Sequence, residues 1–189
     1  MRIIVGITGA SGSVYGWRLL EKLRAQPGVE SHLVLTRSGE RTAFLEMGKT
    51  AADFRELADH WYPVEDIGSS LASGSYPADV MIVAPCSIHT MSAIAHGISS
   101  NLIIRAADVT LKEQRRLILM VRESPLHLGH LRSMASLAEM GAILAPPVPA
   151  FYHHPQTVAD IVEHSVDRVM ALAGTPAPGA LEWNPKGAQ

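Results

Sequence analysis

The hydrophobic positions of this chain follow two periods in turn. Segments such as RIIVGIT (2–8), ESHLVLT (30–36), ADVMIVAPCS (78–87) and RRLILMVRE (115–123) are short, β-branched and apolar on both faces. That is the pattern of strands buried on both sides. AILAPPVPAFY (142–152) starts in the same way and breaks into a proline-rich loop. Between them lie segments with helical spacing. GWRLLEKLRAQPG (16–28) places Leu19, Leu20 and Leu23 on one face and stops at Pro27-Gly28. GERTAFLEMG (39–48), AADFRELADHW (51–61), HTMSAIAHGI (89–98) and GHLRSMASLAEMG (129–141) predict further helices, as does TVADIVEHSVDRVMALAG (157–174), capped by Thr157. The alternation predicts an α/β fold, a doubly wound, mostly parallel sheet covered by helices on both faces. Ligands of such folds bind beyond the carboxyl ends of the strands. The turns to inspect are therefore TGASGS, LTRSGE, APCSIHT, MVRESP and PPVPAFYHHP.

Composition narrows the class. The chain has 189 residues, 47% apolar and 18% charged, enough for one domain with a sizeable core. We expect a single domain over residues 1–175 and a C-terminal tail over 176–189, rich in proline, glycine and small residues and carrying Trp183. The net charge of −2 gives no global field for nucleic acid or an anionic membrane, so any anion binding is local. No apolar run approaches the ~18 residues of a membrane helix, and the first residues lack the shape of a signal peptide. The single cysteine, Cys86, excludes an internal disulfide and points to a cytoplasmic location.

Candidate chemistry sits in the strand-end turns. Gly9 and Gly12 flank Ala10 and Ser11 between a strand and a helix. This could cradle an anion at a helix N-terminus or could be a plain tight turn; it matches neither a dinucleotide fingerprint nor a P-loop. Ser87 and Thr90 can cap the following helix and also line a ligand. Cys86 at a strand end reads as a small buried hydrophobe. The nine histidines are scattered, and neither His153-His154 nor His127/His130 shows zinc spacing, so no metal is expected. Arg105, Lys112 and Arg122 surround one apolar segment, either as surface decoration or as holders of phosphate. Arg115 and Arg116 read as surface cations.

Four segments carry a family resemblance: GITGASG near the start, APCSIHT, NLIIRAADVTLKEQRRLILMVRESPL and AEMGAILAPPVPAFYHHPQTV. In order and spacing they resemble the UbiX/Pad-type flavin prenyltransferases over nearly the whole chain. The resemblance implies a flavodoxin-like (Rossmann-like) sheet and a homo-oligomer, a dodecamer built from trimers. It implies a metal-independent transferase that joins a dimethylallyl group from dimethylallyl phosphate to reduced FMN, at N5 and then C6. The product, prenylated FMN, would serve a UbiD-type decarboxylase. Gly9, Ala10, Ser11, Thr36, Ser87, Ile88, His89, Thr90 and Arg122 match FMN-facing positions. Arg105, Lys112, Tyr152 and Arg168 match prenyl-phosphate contacts, with Tyr152 and Arg168 reached from a neighbouring subunit. Glu123 matches the acid that protonates the leaving phosphate, and Glu46 a carboxylate assisting proton movement at the flavin; the other reading of Glu46 is a helix-surface carboxylate. Ser11 and Lys112 complete the expected catalytic group.

Two other functions share these turns. An FMN-dependent cysteine decarboxylase would need a catalytic histidine and an Asn-containing motif, yet residues 1–30 hold no histidine and PAFYHHP holds no Asn. A non-enzymatic FMN carrier would have no use for Lys112, Glu123, Tyr152 and Arg168 together. The chain departs from the family at Gly129–Met134, read here as a helix or subunit contact.

Overall fold

The computed structural model describes residues 1–179. Chain order runs β1 (Arg2–Ile7), α1 (Ser13–Arg24), β2 (Glu30–Leu35), α2 (Arg37–Met47), α3 (Ala51–Leu57), β3 (His60–Tyr62), β4 (Val80–Cys86), α4 (Ile88–Ala95), α5 (Leu102–Lys112), β5 (Arg116–Val121), α6 (Leu128–Glu139), β6 (Ile143–Leu144) and α7 (Val158–Ala173). The strands form one six-stranded sheet in the order β3-β2-β1-β4-β5-β6, with every pairing parallel. This is the doubly wound, flavodoxin-like sheet expected from the sequence. Winding reverses between β1 and β4, which opens a crevice beyond their carboxyl ends.

Side-chain alternation builds the two cores. Ile3, Val5 and Ile7 of β1 join Ile82 and Ala84 of β4 and Ile118 and Met120 of β5 on one face, covered by α1, α3 and α7. Ile4, Met81, Val83, Leu117 and Leu119 point to the other face and meet Ile103, Met91 and Leu137 of α5, α4 and α6. The period of two along strands buried on both faces accounts for the uninterrupted apolar runs. Arg18 and Lys22 of α1 pair with Glu163 of α7, and Lys22 also pairs with Asp167.

The structure moves some expected boundaries. The predicted helix 51–61 ends at Leu57, and His60–Tyr62 instead pairs with β2 as an edge strand. The Asp59 carboxylate accepts from the Ser31 N–H (2.7 Å) and hydroxyl (2.8 Å), which pins the chain beside β2 before β3 begins. The strand expected over 142–152 pairs only through Ile143 and Leu144, because the prolines that follow cannot donate to a ladder. Helix α5 starts where Asn101 Oδ1 accepts from the Ile104 N–H (3.1 Å). Arg115 is not surface decoration: its guanidinium donates to the carbonyls of Tyr76 (2.7 Å) and Gly74 (2.6 Å). Thr157 caps α7 in a capping box with Asp160, as expected. Ala177, in the expected tail, is buried in the first core, whereas Trp183 lies outside the described residues.

Gly16 lets α1 approach the sheet. A Cβ there would lie 2.4 Å from the Ala84 carbonyl oxygen and 2.7 Å from Ile7 Cδ1. Alanine gains ~1 kcal/mol of helix propensity over glycine, but a backbone oxygen cannot yield as a flexible side chain can. Gly16→Ala is expected to destabilise the fold by about 1–3 kcal/mol. A thermal melt checks this, and a Tm at or above that of the parent protein would show that the contact relaxes freely.

Candidate functional site

The crevice is assembled by short polar side chains at the ends of β1, β2 and β4. Thr8, 1% exposed, follows β1. Its hydroxyl donates to the Pro85 carbonyl and accepts from the Ser87 N–H, both at 2.8 Å. One side chain therefore locks the turn after β1 against the turn after β4. Thr36, after β2, caps α2 by accepting from the Gly39 N–H (3.0 Å), while its own N–H donates to the Ile7 carbonyl (3.0 Å). Ser87 caps α4 by accepting from the Thr90 N–H (3.3 Å) and donates to the Thr90 hydroxyl (3.2 Å). With Asn101, three helix N-termini face one open groove of about 570 Å³, lined among others by Thr36, Ser38, Ser87, His89, Thr90 and Asn101. Helix N-termini with hydroxyl donors and no buried carboxylate suit a phosphate-bearing ligand.

The glycine turn borders this groove differently. Gly12 is left-handed, with φ 100°, a conformation glycine adopts readily. A Cβ on Gly9 would lie 2.6 Å from Ser38 Cβ, so the first turn of α2 closes directly over it. Glu46 reaches back from α2, and its carboxylate accepts from the N–H groups of Gly12 (3.0 Å) and Ser13 (2.9 Å). Burial pushes its carboxyl up, but hydrogen bonds from the Ser11 hydroxyl and from Ser13 and Gly12 more than offset that, and its pKa lies below the ordinary range. Glu46 is thus not a free helix-surface carboxylate. It caps α1 from outside that helix.

Arg122 and Glu123 follow the end of β5. The Arg122 N–H donates to the Cys86 carbonyl (3.1 Å). Burial pushes the Tyr15 phenol up, while the Arg122 charge and a hydrogen bond with Ser165 pull against it. Glu123 accepts from the Ser124 N–H at 2.9 Å. Cys86 is fully buried and its thiol is pushed up to about 12, which rules out a thiolate nucleophile at neutral pH.

Not every expected site residue converges here. Thr36, Ser87, His89 and Thr90 line the groove and the Gly9–Ser11 turn, held by Glu46, borders it beside Ser38, whereas Ile88 lines a separate cavity with His127 and His130. Arg105 and Lys112 are seven residues apart on α5, on one face, with Arg105 paired to Asp108 (2.7 Å) and Lys112 to Glu113. Asn101 opens the groove, yet Lys112 ends the same helix about 16 Å away. Tyr152 packs beside His153 (4.2 Å between ring centroids) and His164 (6.2 Å) on the α7 side. Arg168 stands one turn beyond His164, whose pKa is lowered by burial first and then by the His153 and Arg168 charges. The sequence reading missed Ser38 and Asn101. Asn101 carried the available signal, a capping residue directly before an apolar helical run.

Three comparisons place this geometry. A family profile described as Flavoprotein matches residues 1–170. The chain is 50% identical to a probable UbiX-like flavin prenyltransferase of Streptomyces sp. (strain D7), covering 97% of this chain and 92% of that relative. A dodecameric FMN-dependent UbiX-like decarboxylase from Escherichia coli O157:H7 superposes with a TM-score of 0.95 at 46% identity, covering 97% of this chain and 100% of that one. AnUbiX (PadA1), in complex with FMN and dimethylallyl pyrophosphate, gives a TM-score of 0.94 at 42% identity and 97% coverage of each chain.

Proposed function

This chain belongs to the UbiX-type flavin prenyltransferases of the flavoprotein family, and from that premise we propose that it joins a dimethylallyl group to N5 and C6 of reduced FMN, taking the group from dimethylallyl phosphate. The observation that carries the reading is the groove at the β1–β4 reversal, where Thr36, Ser87, Thr90 and Asn101 present hydroxyl and N–H donors beside the Gly9–Ser11 turn. The flavin, when bound, supplies the electron-rich ring that accepts the allylic carbon.

The residues of the chain then have distinct tasks. Gly9, Ala10, Ser11, Thr36 and Ser87–Thr90 hold and orient FMN, with Arg122 at its edge. Breaking the allylic C–O bond leaves charge on the departing phosphate. Arg105, Lys112, Tyr152 and Arg168 would stabilise that charge as preorganised donors, without a metal. Glu123 would deliver a proton to the leaving oxygen. Glu46 would orient Ser11 and the Gly12 turn, and move a proton at the flavin. The separation of Lys112 from its own groove supports a site shared between subunits. The dodecameric E. coli relative supports a dodecamer, which we propose is built from trimers. The product would be handed to a UbiD-type decarboxylase in the cytoplasm. No helix among the described residues is long and apolar enough to cross a membrane.

The test is incubation with reduced FMN and either dimethylallyl monophosphate or diphosphate, followed by denaturation and mass analysis. Prenylated flavin released free of the polypeptide is expected. Unchanged FMN with both donors would overturn the reading, and flavin retained by the denatured chain would overturn non-covalent binding.

A further inference from the structure

At the amino ends of the strands, on the side of the sheet opposite the groove, Glu30, His32 and His60 meet. Residues 30 and 32 lie two apart on β2 and share a face, and His32 pairs in register with His60 on β3. Glu30 divides its oxygens between two tasks. Oε2 lies 3.2 Å from Arg2 Nε, while Oε1 lies 2.9 Å from His60 Nε2 and 3.4 Å from His32 Nε2. The two imidazoles stack with centroids 4.8 Å apart and planes 14° from parallel. His32 is 1% exposed. Tyr62 Oη lies 3.1 Å from its Nδ1 and Tyr76 Oη 3.3 Å from its Nε2.

We propose that Glu30, His32 and His60 form a structural site for a divalent transition-metal ion of the zinc class, which clips the edge strand β3 to β2. Two imidazole nitrogens and one carboxylate oxygen are a ligand set zinc accepts, with water in the fourth position. The ligand atoms all lie within 4.8 Å of one another. Bonds of about 2.0–2.1 Å at tetrahedral angles require separations of roughly 3.3 Å. The ligand atoms must move inward, and because the two rings are stacked, the His60 ring must also turn so that its plane passes through the ion; His60, half exposed on a three-residue edge strand, can do both. The surroundings also suit a metal. Tyr62 holds Nδ1 of His32 and so fixes the ring plane, as outer-sphere partners of metal-bound histidines do, while the ion would displace the Tyr76 hydroxyl from Nε2. Arg2 occupies Oε2 and so aims Oε1 at the imidazoles. The ion would tie down an edge strand of only three residues.

The experiment uses the intact flavin-loaded protein, freed of adventitious metal by chelation and titrated with zinc chloride by calorimetry and thermal melting. One zinc per chain is expected. At free zinc ~100 times Kd, the melting temperature should rise by about 5–10 °C. His60→Ala and Glu30→Gln should each weaken binding by at least about 100-fold, and Tyr62→Phe by roughly 10–100-fold. His164→Ala, which alters the separate histidine group near Tyr152, should leave binding unchanged. Absence of saturable binding in the parent protein, or full binding in His60→Ala and Glu30→Gln, would overturn the site.

Discussion

Glu123→Gln is expected to slow formation of prenylated FMN by roughly 10²–10⁴-fold, about 3–5 kcal/mol, with FMN affinity nearly unchanged. Strand β5 ends at Val121, so Arg122 and Glu123 stand in the turn beyond it rather than on opposite faces of a strand. There the Glu123 carboxylate is exposed and accepts one local hydrogen bond, from the Ser124 N–H. A glutamine carbonyl can keep that bond, but glutamine has no proton to give. A leaving phosphate oxygen needs that proton as the C–O bond lengthens. If Glu123 served only to brace its turn, the variant would lose some thermal stability and little turnover. Measuring the melting temperature and single-turnover prenylation on one preparation separates the two, and near-normal turnover would remove Glu123 from the chemistry.

The second large effect is complementation. Glu123→Gln and Lys112→Met chains, each nearly inactive alone, are expected to recover about a quarter of parental activity when mixed in equal amounts during assembly. In a symmetric oligomer whose site takes one group from each of two subunits, about one site in four then carries both intact. The argument rests on α5. Its first turn opens the groove and its last residue is Lys112, about 16 Å further along. A lysine cannot span that distance back to its own groove. Arg105 and Lys112 share one stripe of this helix, each beside a carboxylate of its own chain, Asp108 and Glu113. Mixed assemblies with no recovery would place both groups in a single-chain site.

The buried strands were legible because β1, β4 and β5 are apolar on both faces and β2 ends in the apolar run Leu33–Leu35. The strand-end turns followed from the rule that open sheets bind ligands at their carboxyl ends. Strand β3 was hidden because ADFRELADHW continues a helical pattern, and what decides against it lies on another strand, the Asp59 contact with Ser31 and the pairing of His60–Tyr62 with β2. Helix α5 was passed over because NLIIRAADV reads equally as a buried strand over short windows. Ser38 and the partner of Glu46 were invisible for a related reason. Their roles depend on α2 folding back over the glycine turn, a contact between positions more than thirty residues apart in the case of Glu46. Tyr152 and Arg168 entered through resemblance alone, since spacing along one chain says nothing about contacts between chains.

The Glu46 contact with α1 also decides which way round a ligand can enter. A glycine turn leading into a helix is ordinarily an inviting seat for an anion. Here the chain has filled that seat with its own carboxylate, on the N–H groups of Gly12 and Ser13. A phosphate arriving there would have to expel Glu46 or lie against a like charge. The caps of α2, α4 and α5, Thr36, Ser87 and Asn101, are uncharged, although α2 carries Glu40 in its first turn and Arg37 pairs with Glu65 (3.0 Å) at the groove. Open helix N-termini therefore lie toward Thr36 and Ser87, and a carboxylate toward Ser11. A long molecule with one anionic end and one neutral end has a single favourable direction in it, set before any contact with its rings is made.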